Sequence, residues 1–189
     1  MRTYNACMLN IVKSLFREFL LFIVIAVFII IPFRIFVAQP FVVQGASMEQ
    51  TFHNGEYLVV DQLTYRFNEP KRGDVITFRP PQDPSVFFVK RIIGLPGETI
   101  EIRDGVVTII KDGEEPFSLV EPYAEEDIKG LPVIRKTLKD EEYFVLGDNR
   151  SQSSDSRIWG VLPEKNIMGR VFVRLLPFQK AGFFPGELK

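Results

Sequence analysis

The chain reads as a mostly β protein in two parts. An apolar N-terminal segment, expected to form a single transmembrane helix, precedes a curved or barrel-like antiparallel β domain with a β-hairpin insertion. Three observations predict this. Phe19 to Phe33 carries no charge, and Ile35-Phe36-Val37-Ala38 extends the stretch past Arg34. Phe19 to Ala38 is 20 residues, which matches a hydrocarbon core about 30 Å thick. Short runs rich in Val, Ile, Phe and Tyr recur beyond it, bounded by Gly, Pro and Asp, as strands are. The dipeptide Asp104-Gly105 stands between two alternating runs, the strongest short-range signal for a hairpin.

Taken in order, residues 1–17 form a short tail with Arg2, Lys13 and Arg17. Its basic excess over the single acid Glu18 places it in the cytosol by the positive-inside rule and exports the remainder of the chain. Residues 18–38 are read as an uncleaved anchor, with Arg34 snorkelling to the far interface. A buried core helix is the bland alternative, but the segment lacks a polar face. A cleavable signal peptide is the other, although the apolar run is long for one and Phe36-Val37-Ala38 matches a cleavage site poorly. Residues 39–189 are then an exported domain with its own core, containing an insertion at 103–140.

Within that domain the expected strands are Tyr57–Val60, Asp74–Phe78, Phe87–Ile93, Tyr143–Leu146 and Arg170–Leu175. Pairing across Asp104-Gly105 sets Ile102 opposite Val107 and Ile100 opposite Ile109 on one face, with Glu101 and Thr108 on the other. A second turn follows at Asp112-Gly113. Residues 114–141 are acidic, broken by proline and without a firm period, so an irregular insertion is expected there. Beyond the anchor, only a possible turn at Pro163–Asn166 reads as helical.

Composition narrows the function. A net charge of −1 from 23 basic and 24 acidic residues gives no reason to expect a nucleic-acid partner. The single cysteine, Cys7, excludes an intrachain disulfide. The single histidine, His53, would have to carry any Ser-His-Asp triad alone. A serine with a neutral lysine as base needs no histidine, and two short motifs offer that pair. Ser47 lies in Gly45-Ala46-Ser47-Met48-Glu49-Gln50-Thr51, and Lys90 in Phe88-Val89-Lys90-Arg91-Ile92-Ile93-Gly94. Alone, Ser47 is ordinary loop chemistry. On a strand, Phe88, Lys90 and Ile92 share one face, while Phe87, Val89, Arg91 and Ile93 share the other. If the strand is buried, the Lys90 ammonium is disfavoured and its pKa falls toward that of a useful base. If it lies at a sheet edge, Lys90 and Arg91 simply reach water. A third stretch, Gly147-Asp148-Asn149-Arg150-Ser151-Gln152-Ser153-Ser154-Asp155-Ser156-Arg157, concentrates hydroxyls, acids and arginines in one loop.

In this order, with Arg72-Gly73-Asp74 ahead of an apolar run, these segments resemble the bacterial type I signal peptidases, the serine-lysine dyad family. The resemblance covers the anchor and most of residues 39–175, leaving the insertion unmatched. It implies a membrane-bound serine endopeptidase that removes signal peptides from exported preproteins after small residues, at A-x-A sites. It implies Ser47 as nucleophile, Lys90 as general base, and Ser153 as the hydroxyl that orients the lysine. Asp148 with Arg91, and Asp155 with Arg157, match ion pairs that brace the site. Phe41, Val43, Met48, Phe88 and Val89 fall where the family lines shallow substrate pockets. The implied partners are exported preproteins and membrane lipid, with no metal, cofactor or nucleic acid. The implied location is the bacterial cytoplasmic membrane, with the catalytic domain on its outer face. Two residues depart from the pattern. Gln50 replaces a proline that would hold φ at about −65°, and Gly45 stands where some members carry a serine. A specialised peptidase with few substrates, or an inactive relative, remains open.

Overall fold

The structure is a computed structural model that describes residues 2–31, 38–124 and 133–187. The chain divides into two compact units, Met1–Gln39 and Pro40–Lys189.

In the first unit, helix α1 runs from Arg2 to Ile25 and gives way to a π-helical turn at Ala26–Ile30. This corrects the expectation of one transmembrane helix over 18–38. Among the described residues, no helix is long and apolar enough to cross a membrane. Helical bonding begins at Arg2, not near Phe19, so α1 spends much of its 24 residues on the charged tail. It carries Arg2, Lys13, Arg17 and Glu18. The apolar residues Ala26–Ile30 follow in the wider winding of the π-helix. Residues 32–37, including Arg34, lie outside the described residues.

The second unit is mostly β. Its strands are β1 (Ala38–Val42, which starts in the last two residues of the first unit), β2 (Tyr57–Asp61), β3 (Val75–Phe78), β4 (Phe88–Gly94), β5 (Thr99–Arg103), β6 (Val106–Ile110), β7 (Phe117–Ser118), β8 (Ile134–Thr137) and β9 (Glu142–Leu146). A short helix, α2 (Ser156–Trp159), precedes β10 (Leu162–Pro163), β11 (Ile167–Leu176) and β12 (Gly182–Phe183). The larger sheet has the order β1-β2-β11-β3-β4-β9-β10, with β12 also paired to β11. Strand β11 pairs with β3 through Ile167–Arg170 and with β2 through Arg170–Leu176, with register shifts on both sides. Such shifts bend a strand and increase its twist, so this strand curls the sheet around the site. The smaller sheet has the order β7-β6-β5-β8.

The hairpin has the register its sequence predicts, with Ile102 opposite Val107, Glu101 opposite Thr108 and Ile100 opposite Ile109. Asp104 and Gly105 have φ of 51° and 83°, the pair of positive angles a type I′ turn requires. The expected irregular insertion at 114–141 is only partly irregular. Phe117–Ser118 pairs with β6, and Ile134–Thr137 pairs with β5. These segments are too short or too charged to show alternation, and the edges of the hairpin supply the pairing that their own sequence does not announce. Residues 125–132 lie outside the described residues. The turn at Pro163–Asn166 is a 3₁₀ turn over Glu164–Asn166. Helix α2 was not expected, because four residues are too few to display a period.

Three buried clusters hold the unit together. Ile100, Ile102, Val107 and Ile109 of the hairpin pack on Ile93, Phe144 and Leu146 of the larger sheet. Val43, Met48 and Phe52 meet Leu58, Val60, Val75 and Val171. Ile76, Phe78 and Ile92 meet Tyr143, Val145 and Leu162. Strand β4 contributes to the first and third clusters through opposite faces, so it is covered on both sides.

Candidate active site

That double cover decides between the two readings of Lys90. Strand β4 is no edge: it pairs with β3, where Lys90 opposes Ile76, and with β9, where Arg91 opposes Leu146. Lys90 is 3% exposed and Arg91 wholly buried. The Lys90 Nζ donates to Ser47 Oγ at 2.7 Å and to the Val89 carbonyl at 3.0 Å. Burial drives the Lys90 pKa down to about 8, against the opposing pull of the Asp155 and Asp148 carboxylates. The amine is therefore neutral over a range of pH in which an ordinary lysine is charged.

Ser47 reaches Lys90 from a tight turn. Gly45 has a φ of +90°, a conformation that a serine or any other side chain would strain, and its N–H donates to Asn54 Oδ1 at 3.1 Å. After Ser47 the chain closes on itself, with the Thr51 and Phe52 amides donating to the Met48 carbonyl at 2.8 and 2.6 Å. Met48 and Phe52 are buried in the second cluster and pin the turn on either side of exposed Gln50. The turn thus closes without the proline of the family pattern.

The loop 147–157 supports the pair from below. Gly147 has no room for a side chain, since a Cβ would lie 2.5 Å from the Ser47 carbonyl oxygen and 2.3 Å from Ser153 Oγ. The Asn149 amide donates to the Ser47 carbonyl at 3.1 Å. Arg91 binds Asp148 through two bonds, Nε to Oδ1 at 2.9 Å and Nη2 to Oδ2 at 2.6 Å. It also donates to the carbonyls of Gly73 and Gly186 and to Thr51 Oγ1. Thr51 in turn donates to Asp148, which ties the Ser47 turn to the ion pair. Asp155 accepts from Arg157 Nε at 2.8 Å and from the Gly147 amide at 3.1 Å. It also caps α2 through the Arg157 amide.

Ser153 is brought to the same place but not into the expected bond. It is buried, and its Oγ has no hydrogen-bond partner among the described residues. The hydroxyl lies against Gly147, while the Lys90 Nζ bonds Ser47 and Val89 instead.

Ser47 and Lys90 open onto a cleft of about 490 Å³ whose lining includes all of Phe41, Val43, Met48, Phe88 and Val89. The cleft also takes in Thr77, Val86, Phe87, Gln152 and Ser154, which the motifs did not single out. Phe87 could have been found from the sequence: its ring meets Phe41 edge-on at 5.2 Å, and it adjoins the Phe88-Val89 pair already chosen. His53 is exposed and lines a separate hollow with Tyr57 and Phe178.

A serine oxygen held against a buried, pKa-depressed lysine is the arrangement that the sequence motifs imply. The family model "Signal peptidase, peptidase S26" matches residues 16–176. The chain belongs to the signal peptidase family, peptidase S26. It is 37% identical over 174 residues to the probable signal peptidase I-1 of Synechocystis, covering 88% of this chain and 85% of that protein. It is 34% identical over 168 residues to signal peptidase I T of Bacillus subtilis, covering 84% of each. A crystal structure of a signal peptidase I from Enterococcus faecalis matches with a TM-score of 0.47 and 32% identity, over 55% of this chain and 97% of that one. As a member of the family, the protein is a signal peptidase I-type endopeptidase, a hydrolase.

Proposed function

We propose that the protein removes N-terminal signal peptides from exported preproteins with Ser47 as nucleophile and Lys90 as general base. The observation that carries this is the 2.7 Å contact between Ser47 Oγ and the Nζ of a lysine that burial holds at a pKa of about 8. Neutral Lys90 takes the serine proton as Oγ attacks the scissile carbonyl, and an oxyanion develops that the Ser47 amide is assigned to meet. The resulting lysine ammonium then gives its proton to the departing amine, leaving an ester on Ser47. Water, deprotonated by the same lysine, hydrolyses that ester and restores both groups. Ser153 is assigned to hold the amine in line by a bond that forms as the side chain turns from Gly147. The Arg91–Asp148 and Arg157–Asp155 pairs hold the loop against the turn and take no part in bond making.

The lining of the cleft supports a preference for small residues. Phe41, Val43, Met48, Phe88 and Val89 make a shallow apolar recess beside the serine. Small residues on the acyl side of the scissile bond fit it, and large ones are refused by overlap, as at A-x-A sites. The catalytic unit acts on the outer face of the bacterial cytoplasmic membrane. Leu175, Phe178 and Phe183, which are 46%, 80% and 72% exposed, are available for contact with lipid.

The test is cleavage of an A-x-A preprotein by the full chain in detergent. Ser47→Ala and Lys90→Ala should each lower kcat by at least about a thousandfold, and the double mutant should be no worse than either alone, because the two act as one unit. Losses that multiply would break the dyad assignment, as would a Ser47→Ala protein that still cleaves. His53→Ala should keep its activity, and a folded His53→Ala protein without activity would restore a histidine mechanism.

A further inference from the structure

A segment within the insertion, just after β7, reaches back to the site. Leu119 is fixed to the hairpin by its amide, which donates to the Val107 carbonyl at 2.8 Å, and both Leu119 and Tyr123 pack on the hairpin's core cluster. From this footing Glu121 and Tyr123 each take hold of an arginine beneath the dyad. The Tyr123 ring lies 3.9 Å from the centre of the Arg91 guanidinium, on the arginine that also holds Asp148. Glu121 accepts from both terminal nitrogens of Arg150, through Oε2 at 3.1 Å and through Oε1. The Tyr123 hydroxyl donates to Glu121 at 3.2 Å and joins the two holds.

Arg150 is buried and passes the constraint on. Its Nε donates to the Gly147 carbonyl at 2.9 Å, and its own carbonyl accepts from Arg157 Nη2 at 2.6 Å. Gly147 is the residue wedged between the Ser47 carbonyl and Ser153. Two buried arginines are an expensive way to build a loop unless each is fully paired. A planar guanidinium that grips one group by a fork and another by its edge transmits position, which a flexible ammonium does not.

We propose that Glu121 and Tyr123 are positioning residues for the catalytic pair: through Arg150 and Arg91 they set Gly147 and Asp148, and hence the approach of Ser47 to Lys90. This deepens the reading of Ser47 and Lys90 as the dyad and rests on it. The insertion is then more than a decoration on the sheet, since Glu121 and Tyr123 within it hold the two arginines behind the site.

Asp148 and Asp155 are the carboxylates that face Lys90, and Arg91 and Arg157 neutralise them. Loosening Arg91 leaves Asp148 freer to favour the Lys90 ammonium. A positioning role therefore changes the pH dependence of the rate, which a role in stability alone would not. The experiment compares the full chain with Tyr123→Leu, Tyr123→Phe, Glu121→Ala and Glu121→Asp. Rates are scaled to the folded fraction read from Trp159 fluorescence.

The expected result for Tyr123→Leu and Glu121→Ala is a loss of about tenfold in kcat with KM within about twofold of the parent. In Tyr123→Leu the ascending limb of kcat against pH should also move upward. Tyr123→Phe keeps the ring and should recover kcat to within about threefold, and Glu121→Asp should recover part of its loss. Variants that melt earlier but show parental kcat and an unmoved limb per folded molecule would overturn the proposal. So would a Tyr123→Phe protein as impaired as Tyr123→Leu. A parent enzyme that is indifferent to Ser47→Ala would overturn the dyad itself, a separate and recognisable failure.

Discussion

Strands β4 and β5 follow each other in the chain, and both carry charged residues among apolar ones, yet they treat charge in opposite ways. On β5, Glu101 pairs with Arg103 and Arg135 at 3.3 Å each, and those arginines are 63% and 64% exposed. On β4, Lys90 and Arg91 are both buried, and Arg91 meets Asp148 with neither side chain exposed. The first arrangement lets water screen the charges and costs little, because one face of β5 is turned to solvent. The second must bear the full desolvation of an ammonium and a guanidinium. Arg91 is compensated by a fork of carboxylate oxygens, two carbonyls and a hydroxyl, whereas Lys90 has only neutral bonding partners. The fold therefore holds the Lys90 amine without a direct ionic partner, and its depressed pKa is what the proposed chemistry would use.

Replacement of each charge tests the contrast. The largest effect is expected from Lys90→Met, which should abolish cleavage while the melting temperature at neutral pH holds or rises, since an apolar side chain of similar length ends the desolvation cost. A Lys90→Met protein that unfolds would show that the amine is structural. Next, Arg91→Met should cost about 3–5 kcal/mol in a urea titration, because it strands Asp148 as a buried charge without its partner. A loss below about 1 kcal/mol would place that pair in the same class as those on β5.

A third difference is in pH. Below about 8 the Lys90 amine is protonated and cannot act as base, so kcat should rise roughly tenfold per unit up to that pH and level off above it. An ascending limb near the free lysine value of about 10.4 would mean that the base is misassigned. For stability the sign is the same. The unfolded chain binds the lysine proton more tightly than the folded one between these two values, so this residue's contribution rises with pH across that window. Lys90→Met should remove that slope. The smallest effect belongs to β5, where Glu101→Gln should change stability by less than about 1 kcal/mol and leave kcat untouched.

The contrast also explains what could be read in advance. The β5–β6 hairpin was legible down to its register, because a local turn signal and strict alternation fix both partners within a dozen residues. The motifs likewise pointed to Ser47, Lys90, Arg91, Asp148 and five of the residues that line the cleft. The burial of Lys90 was not legible, since alternation gives the faces of a strand but not its neighbours. Pairing with β3 and β9 shows that β4 is no edge, and the packing of Ile92 and Ile93 into different clusters shows that both its faces are covered. Strands β7 and β8 were missed for the related reason that their pairing is dictated by the edges of the hairpin. Glu121 and Tyr123 carried no motif at all. The extent of α1 was misjudged because hydropathy marks where a chain is apolar and is silent on where helical bonding begins.

Arg91 has a consequence for the timing of synthesis. Its guanidinium gathers Thr51, Gly73, Asp148 and Gly186, four points spread along the chain. A ribosome delivers Ser47 and Lys90 early, but it must continue past Gly186 before the last carbonyl of that set exists. Until then Arg91 is incompletely paired and the loop it holds is incompletely fixed. A growing chain thus carries Ser47 and Lys90 without the finished frame around them. The frame around Arg91 is therefore complete only once Gly186 has been made, nearly a hundred residues after the arginine itself.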